Sequence, residues 1–441
     1  MYKIGMISLG CPKNQVDAER MLAALDRNEF EIADCYDGVD AVIVNTCGFI
    51  DDAKREAIEN ILDMAQLKED GTVKKIIVTG CLAQRHQQEI FSEIPEVDAV
   101  IGIGANADIA DIVRRVIEGE SVYEMPDNSL LPLVGERLLT TPEYWSYLKI
   151  ADGCSNRCTY CAIPSIRGDF RSVEFETLID EAKALADAGT KELILIAQDT
   201  TNYGMDLYGK LRLPELLDAL CEIDGIEWIR LLYCYPDKIT DELLETMARQ
   251  PKIVHYIDLP LQHADDKILK AMNRRGDNAF LRETIGRIRT AMPDAVIRTT
   301  FIIGFPGEGE EEFETLAEFV NEIEFDRLGC FSYSPQEGTP AFDFEDQVDE
   351  ETKLRRGEII MGDQLEIVNL KNHEKIGNTY RVLVEDYDGY SDSYSGRTYM
   401  DAPDIDGKIV FTTNKSYNNG DFTYVEVIGM NDYDLIGKDV S

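Results

Sequence analysis

Residues 151–168 read ADGCSNRCTYCAIPSIRG, and the rest of the chain is interpreted outward from them. Cys154, Cys158 and Cys161 stand at CxxxCxxC spacing. Three thiols cannot all pair with one another as disulfides. A structural zinc ion wants four Cys or His ligands, and the next cysteines, Cys221 and Cys234, sit inside apolar runs. Three thiolates on one loop suit three irons of a 4Fe–4S cluster and leave the fourth iron open to a small chelating ligand. Structural zinc is the alternative.

The loop follows a strand, and that strand starts a series. Apolar runs recur at 147–153, 192–199, 228–234, 255–261, 295–305 and 327–335, with helical periodicity between them at 175–188, 213–221 and 279–292. Six βα units predict an α/β partial barrel of (βα)6 type over 146–370, with its functional end at the C-terminal ends of the strands. Upstream, PDNSLLPLVGERLLTTPEYW (126–145) carries three prolines and reads as a linker. Residues 1–125 alternate apolar runs (3–10, 40–47, 74–81, 97–104) with helical segments (17–25, 53–67, 109–117). That pattern predicts a doubly wound parallel sheet. From 371 to 441, short alternating runs broken by Gly, Asn and Asp predict a small antiparallel β-barrel. The acidic run at 308–314 predicts a helix start, where carboxylates favour the N-terminus.

A second set of cysteines lies in the first of these units. Cys11, Cys47 and Cys81 are far apart, yet each ends an apolar run and precedes a helical segment. In a parallel sheet the strand C-termini share one edge, so these three can meet there. Gly10, Gly48 and Gly80 beside them permit tight turns. Three unrelated core cysteines are the competing interpretation, but the repeated strand-end position favours a shared metal site. Cys35, Cys221, Cys234 and Cys330 read as core filler.

Composition narrows the partners. The 441 residues include 84 Asp+Glu against 44 Lys+Arg, a formal net charge of −40. Such a field repels a polyanion and suits a basic partner, although acidity also simply keeps a protein soluble. The last 70 residues carry 13 acidic and six basic residues. The start has no cationic leader, and no run of about 18 apolar residues exists. Ten cysteines in such a chain predict a reducing compartment, the cytoplasm.

These motifs resemble a known family. CxxxCxxC with Tyr160 before its last cysteine is similar to the cluster loop of radical S-adenosylmethionine (SAM) enzymes. LGCPKNQVDAE (9–19), NTCGF (45–49) and VTGCLAQR (78–85) resemble the N-terminal domain of the radical SAM methylthiotransferases, whose chains end in a TRAM-type β-barrel. One departure is Ala18, where the family commonly has Ser. The resemblance implies two 4Fe–4S clusters, on Cys11/Cys47/Cys81 and on Cys154/Cys158/Cys161. It implies SAM as both methyl donor and radical source, with Tyr160, Gln198, Arg298 and Gly304 near it. Both clusters must then face one cavity, with the N-terminal sheet edge over the barrel mouth.

SLGCPKN (8–14) and CAIPSIRG (161–168) resemble the RimO-type branch, which modifies an aspartate of ribosomal protein S-twelve at its β-carbon. That carbon is unactivated, so a cofactor-derived radical must do the hard step. The acidic terminal barrel agrees, since a barrel clamping nucleic acid should be basic; a tRNA adenosine methylthiotransferase of the same fold is the alternative. Gln262 and His263, at a strand end, are weaker candidates for contact with the substrate peptide. The expected partners are S-twelve, free or in the small subunit, a reductase and a sulfur donor, with no membrane and no nucleic acid held by the terminal barrel.

Overall fold

The computed structural model describes residues 1–441. Six parallel strands open the chain: β1 (Tyr2–Ser8), β2 (Phe30–Ile32), β3 (Ala41–Thr46), β4 (Ile76–Gly80), β5 (Ala99–Ile101) and β6 (Val122–Glu124). Their order is β2-β1-β3-β4-β5-β6. Helices α1 (Pro12–Ala24), α2 (Asp51–Glu69), α3 (Cys81–Glu93) and α4 (Ile109–Ile117) cover both faces. The strands show why. In β3 every residue is buried, with Ile43 facing Met21 and Ile112 on one side and Val42 and Val44 facing Ile61 and Leu82 on the other. This is the predicted doubly wound sheet. Strands β2 and β6 escaped prediction because each buries only one of its three residues and so has no apolar run, unlike the equally short but wholly buried β5.

The segment 126–145 is extended but pinned. Arg137 bonds Glu19 at 2.7 Å and Glu181 at 3.0 Å, and the Thr140 amide donates to Glu19.

The central unit has β7 (Trp145–Lys149), then the two-stranded β8 (Ala151–Asp152) and β9 (Arg171–Ser172), joined by the cysteine loop and α5 (Ile163–Arg167). There follow α6 (Phe175–Asp187), β10 (Glu192–Ile196), α7 (Met205–Tyr208), α8 (Leu213–Cys221), β11 (Trp228–Leu231), α9 (Asp241–Arg249), β12 (Ile253–Asp258), α10 (Asp266–Ala271), α11 (Asn278–Ala291), β13 (Val296–Ile303), α12 (Glu310–Ile323) and β14 (Arg327–Ser332). Six parallel strands run in the order β14-β13-β12-β11-β10-β7, the predicted open (βα)6 sheet. Helix α12 begins in the acidic run, where the Gly309 amide donates to Glu312. The 25-residue helix α13 (Glu350–Glu374) was not foreseen. Its interior face buries Ile360, Gln364, Ile367 and Val368 among charged residues, so its apolar stripe is faint in the sequence.

Helix α13 runs past residue 371, and the terminal barrel starts at Thr379. It is closed by β15 (Thr379–Asp388), β16 (Ser393–Arg397), β17 (Ile409–Thr412), β18 (Phe422–Asn431) and β19 (Asp434–Asp439). Its core is continuous with the inner face of the central sheet: Ile194, Leu232, Val254 and Tyr256 share one apolar cluster with Val384, Met400 and Val425. Buried ion pairs stitch the same contact, Glu192 to Arg397 at 2.7 Å and Arg327 to Asp401 at 2.5 Å. No helix is long and apolar enough to cross a membrane.

Candidate metal centres and active site

Strands β1, β3 and β4 are neighbours, so their C-terminal ends lie side by side. Cys11 follows β1 and caps α1, Cys47 directly follows β3, and Cys81 is the first residue of α3. The turns are crowded, which is why glycine precedes or follows each cysteine. Gly10 has φ +89°, and a Cβ there would sit 2.8 Å from Cys47 Sγ. Gly80 has φ +94° with the Thr46 carbonyl against it. A Cβ on Gly48 would lie 2.7 Å from the Leu82 backbone. Asn14 Nδ2 donates to the Leu9 carbonyl at 2.7 Å and Asn45 Nδ2 to the Asn14 carbonyl at 2.8 Å, locking the first turn to the second.

The three thiols feel one another. Burial, then the neighbouring Cys81 and Cys11, pushes the Cys47 thiol up to about 12. Burial also raises Cys81, against the pull of Arg167. At Cys11 burial is outweighed by Lys13, Arg167 and backbone N–H donors, and the thiol is shifted down.

The second trio lies on the loop between β8 and α5. The Cys154 amide donates to the Gly168 carbonyl, and the Cys161 amide to the Cys158 carbonyl, both at 3.1 Å. Asn156 ties the loop to Asp199 at 2.7 Å. Cys158 Sγ meets the Tyr235 hydroxyl at 3.6 Å and Arg274 Nη1 at 3.8 Å. Burial and the two neighbouring thiols raise Cys161.

Each trio gathers its thiols closely enough that neighbouring sulfurs push up Cys47 in one and Cys161 in the other. Three thiolates fit a cluster, which takes one per iron. An arginine also points N–H at one sulfur of each trio, the buried Arg167 at Cys81 and the part-buried Arg274 at Cys158.

The two trios share a seam. Arg167, 1% exposed at the end of α5, reaches into the N-terminal unit. Its Nη1 bonds Asp17 at 2.8 Å and Asp152 at 2.9 Å, and its Nη2 lies 3.3 Å from Asn14 Oδ1 and 3.7 Å from Cys81 Sγ. Lys149 bridges the same two carboxylates. Ala162 and Ile166, either side of α5's first turn, pack on Cys81. Lys13 stands 3.1 Å from the Tyr233 ring centroid. Arg85 bonds the Gly48 carbonyl at 2.7 Å and Gln336 at 2.9 Å. The N-terminal sheet edge therefore does sit over the strand ends of the central sheet.

The remaining candidates fall in different surroundings. Gln198 donates to Asp152 at 3.1 Å while its Oε1 is buried without a partner. Tyr160 packs beside Met272, Phe305 and Tyr333. Arg298 bonds Asp258 at 3.1 Å and faces Asp406 of the terminal barrel at 3.6 Å. The Gly304 amide is committed to Glu308, and its φ of +65° answers the Lys353 side chain packed on it. Gln262 adopts φ +75°, and its backbone pairs with Thr300 and Ile302. His263 is fully buried; its Nδ1 accepts from the Asp265 amide at 3.0 Å, so its Nε2 carries the proton toward Glu308 at 3.2 Å. Cys35, expected in the core, is exposed in a bend after β2; short β2 leaves nothing to cover it.

Sequence reading missed Arg274, Lys13, Lys149 and Asp152, and quoted Arg167 without a role. Their partners lie far along the chain, 153 residues away for Arg167 and Asn14 and further still for Lys13 and Tyr233. Only a charged residue within an apolar strand, as at Lys149, could have hinted at a buried pair.

Comparison with known proteins agrees with this architecture. Residues 148–320 match the Radical SAM superfamily, residues 3–102 the Uncharacterized protein family UPF0004, and residues 376–440 the TRAM domain. The chain is 48% identical to "Ribosomal protein uS12 methylthiotransferase RimO" of Acetivibrio thermocellus, covering 99% of this chain and 98% of that one. It is 47% identical to the protein of the same name from a Thermoanaerobacter species, over 99% and 100%. Among solved structures, the radical SAM methyltransferase TsrM of Kitasatospora setae superposes with a TM-score of 0.56 at 13% identity over 77% of each chain, a likeness of fold. Near-half identity over the full length, with both cysteine trios on one seam, leads to one conclusion: the chain belongs to the RimO family of radical SAM methylthiotransferases.

Proposed function

We propose that this enzyme inserts a methylthio group at the β-carbon of an aspartate of ribosomal protein uS12, the S-twelve protein of the small subunit. The observation that carries this is the full-length identity to proteins of that name. The seam between the trios supports it, since methyl sulfide delivery and hydrogen removal must occur at one place. Clusters and SAM, when bound, supply the electron, the methyl group and the hydrogen-abstracting radical.

The chain's own residues supply placement. Cys11, Cys47 and Cys81 would hold one cluster, and Cys154, Cys158 and Cys161 the other. Arg274 and Tyr235 direct donors at Cys158. Gln198, oriented by Asp152, offers a buried acceptor to the amino or hydroxyl groups of SAM. Tyr160 closes an apolar wall beside the loop. Arg298 and Gly304 serve SAM indirectly, by fixing strand β13 and the turn after it. Gln262, half-buried on a left-handed backbone, remains the candidate for contact with the peptide.

The substrate meets an acidic surface. The terminal barrel's excess of carboxylates suits a basic ribosomal protein and disfavours a phosphate backbone. We place the reaction in the cytoplasm, with a separate reductase and a separate sulfur donor, and the functional divisions near residues 125, 145 and 370. Competition tests the choice of substrate: uS12 and bulk tRNA are offered together to the anaerobically reconstituted enzyme with methyl-labelled SAM. Label is expected in protein. Label in tRNA nucleosides would transfer the assignment to the adenosine-modifying branch.

A further inference from the structure

We propose that Arg167 is a positioning residue for the N-terminal centre: its Nη2 donates a hydrogen bond to Cys81 Sγ and so raises the reduction potential of the cluster held there. This rests on reading Cys11, Cys47 and Cys81 as cluster ligands. The contact is 3.7 Å, within range for an N–H···S bond. The guanidinium cannot turn away, because Nη1 is held by Asp17 at 2.8 Å and Asp152 at 2.9 Å. Both carboxylates and the arginine are 2% exposed or less, so the fork has one orientation. Lys149 joins the same carboxylates, which makes the group of four neutral in sum. What the sulfur meets is its positive N–H edge.

Hydrogen bonds to cluster sulfurs stabilise the more negative, reduced state and raise the potential. Burial keeps water from screening the effect. The donor also belongs to the other half of the enzyme. Arg167 stands six residues after Cys161, on the helix whose Ala162 and Ile166 pack on Cys81.

The test isolates the N-terminal centre in the full chain carrying Cys154→Ala, Cys158→Ala and Cys161→Ala. After anaerobic reconstitution, iron is counted and the midpoint is read by dithionite titration followed by electron paramagnetic resonance. About four irons per chain are expected. Adding Arg167→Gln is expected to lower the reduction equilibrium at least tenfold, which is about 59 mV more negative for one electron. Adding Arg356→Gln instead removes another buried charge, 3% exposed, that does not touch Cys81, and the midpoint is expected to stay. Equal shifts from both, or no shift from Arg167→Gln, overturns the proposal. If the glutamine variant holds no iron, Arg167→Lys decides: a lowered midpoint supports the hydrogen bond, and an unchanged one overturns it. A parent variant without iron would instead remove the ligand assignment itself.

Discussion

Asp17 and Arg167 are 2.8 Å apart in space and 150 residues apart in the chain. One lies on the first helix, the other on the helix that closes the second cysteine loop. The bond ties the two halves of the site together at a point that water does not reach. Removing one partner of a buried pair leaves the other charge uncompensated, at a cost of about 3–5 kcal/mol. Asp17→Ala is expected to lose that much stability in urea titrations. A loss under about 1 kcal/mol would mean that the seam contributes little to holding the halves together.

Gly10 is the next point of leverage. A methyl group there would lie 2.5 Å from Cys47 Cβ, on a backbone already at φ +89°. Left-handed geometry costs a non-glycine residue about 1–2 kcal/mol before any clash. Gly10→Ala is expected to displace Cys47, to lose the iron of the N-terminal centre, and to keep the iron of the SAM-side loop. Full iron content in this variant would contradict the convergence of Cys47 with the β1 turn.

The two trios should be separable by metal content. Wild type is expected to hold about eight irons per chain and each triple cysteine-to-alanine variant about four. Only the variant retaining Cys154, Cys158 and Cys161 should cleave SAM reductively. Zinc in place of iron after anaerobic purification would contradict the ligand assignment.

Acid should loosen the join between central sheet and terminal barrel. Glu192 is fully buried, with Arg230 and Arg397 each at 2.7 Å. Burial alone would raise its carboxyl, but Arg397 and Arg230 outweigh it and hold it below the usual range. A depressed carboxylate stabilises the fold above its unfolded value, about 4.3 for glutamate, and that contribution is lost as pH falls through the folded value. Glu192→Gln is therefore expected to be less stable than wild type by about 3–5 kcal/mol at pH 7. The gap should shrink once the pH drops below about 4. A gap that is constant with pH would contradict the ionised pairing.

Much of this was legible in the chain because two patterns are local. CxxxCxxC announces its chemistry within eight residues, and Cys11, Cys47 and Cys81 recur at strand ends that any parallel sheet must align. The long strands follow their apolar runs for the same reason. What was not legible depends on contacts between distant segments. Arg167 reads as an ordinary basic residue until α1 brings Asp17 and Asn14 to it. His263 looks like a free imidazole until Glu308 and the Asp265 amide enclose it. Helix α13 buries a mixed face of Ile360, Gln364 and Ile367, and β2 and β6 bury one residue each, so none of them carries an apolar signal in the sequence.

The most direct test of the central claim is mass spectrometry of uS12 after anaerobic incubation with the reconstituted enzyme, SAM, dithionite and sulfide. The account predicts a gain of about 46 Da on one aspartate, methylthio replacing hydrogen, accompanied by 5′-deoxyadenosine. Formation of 5′-deoxyadenosine with uS12 unchanged, both free and in the intact small subunit, would contradict it.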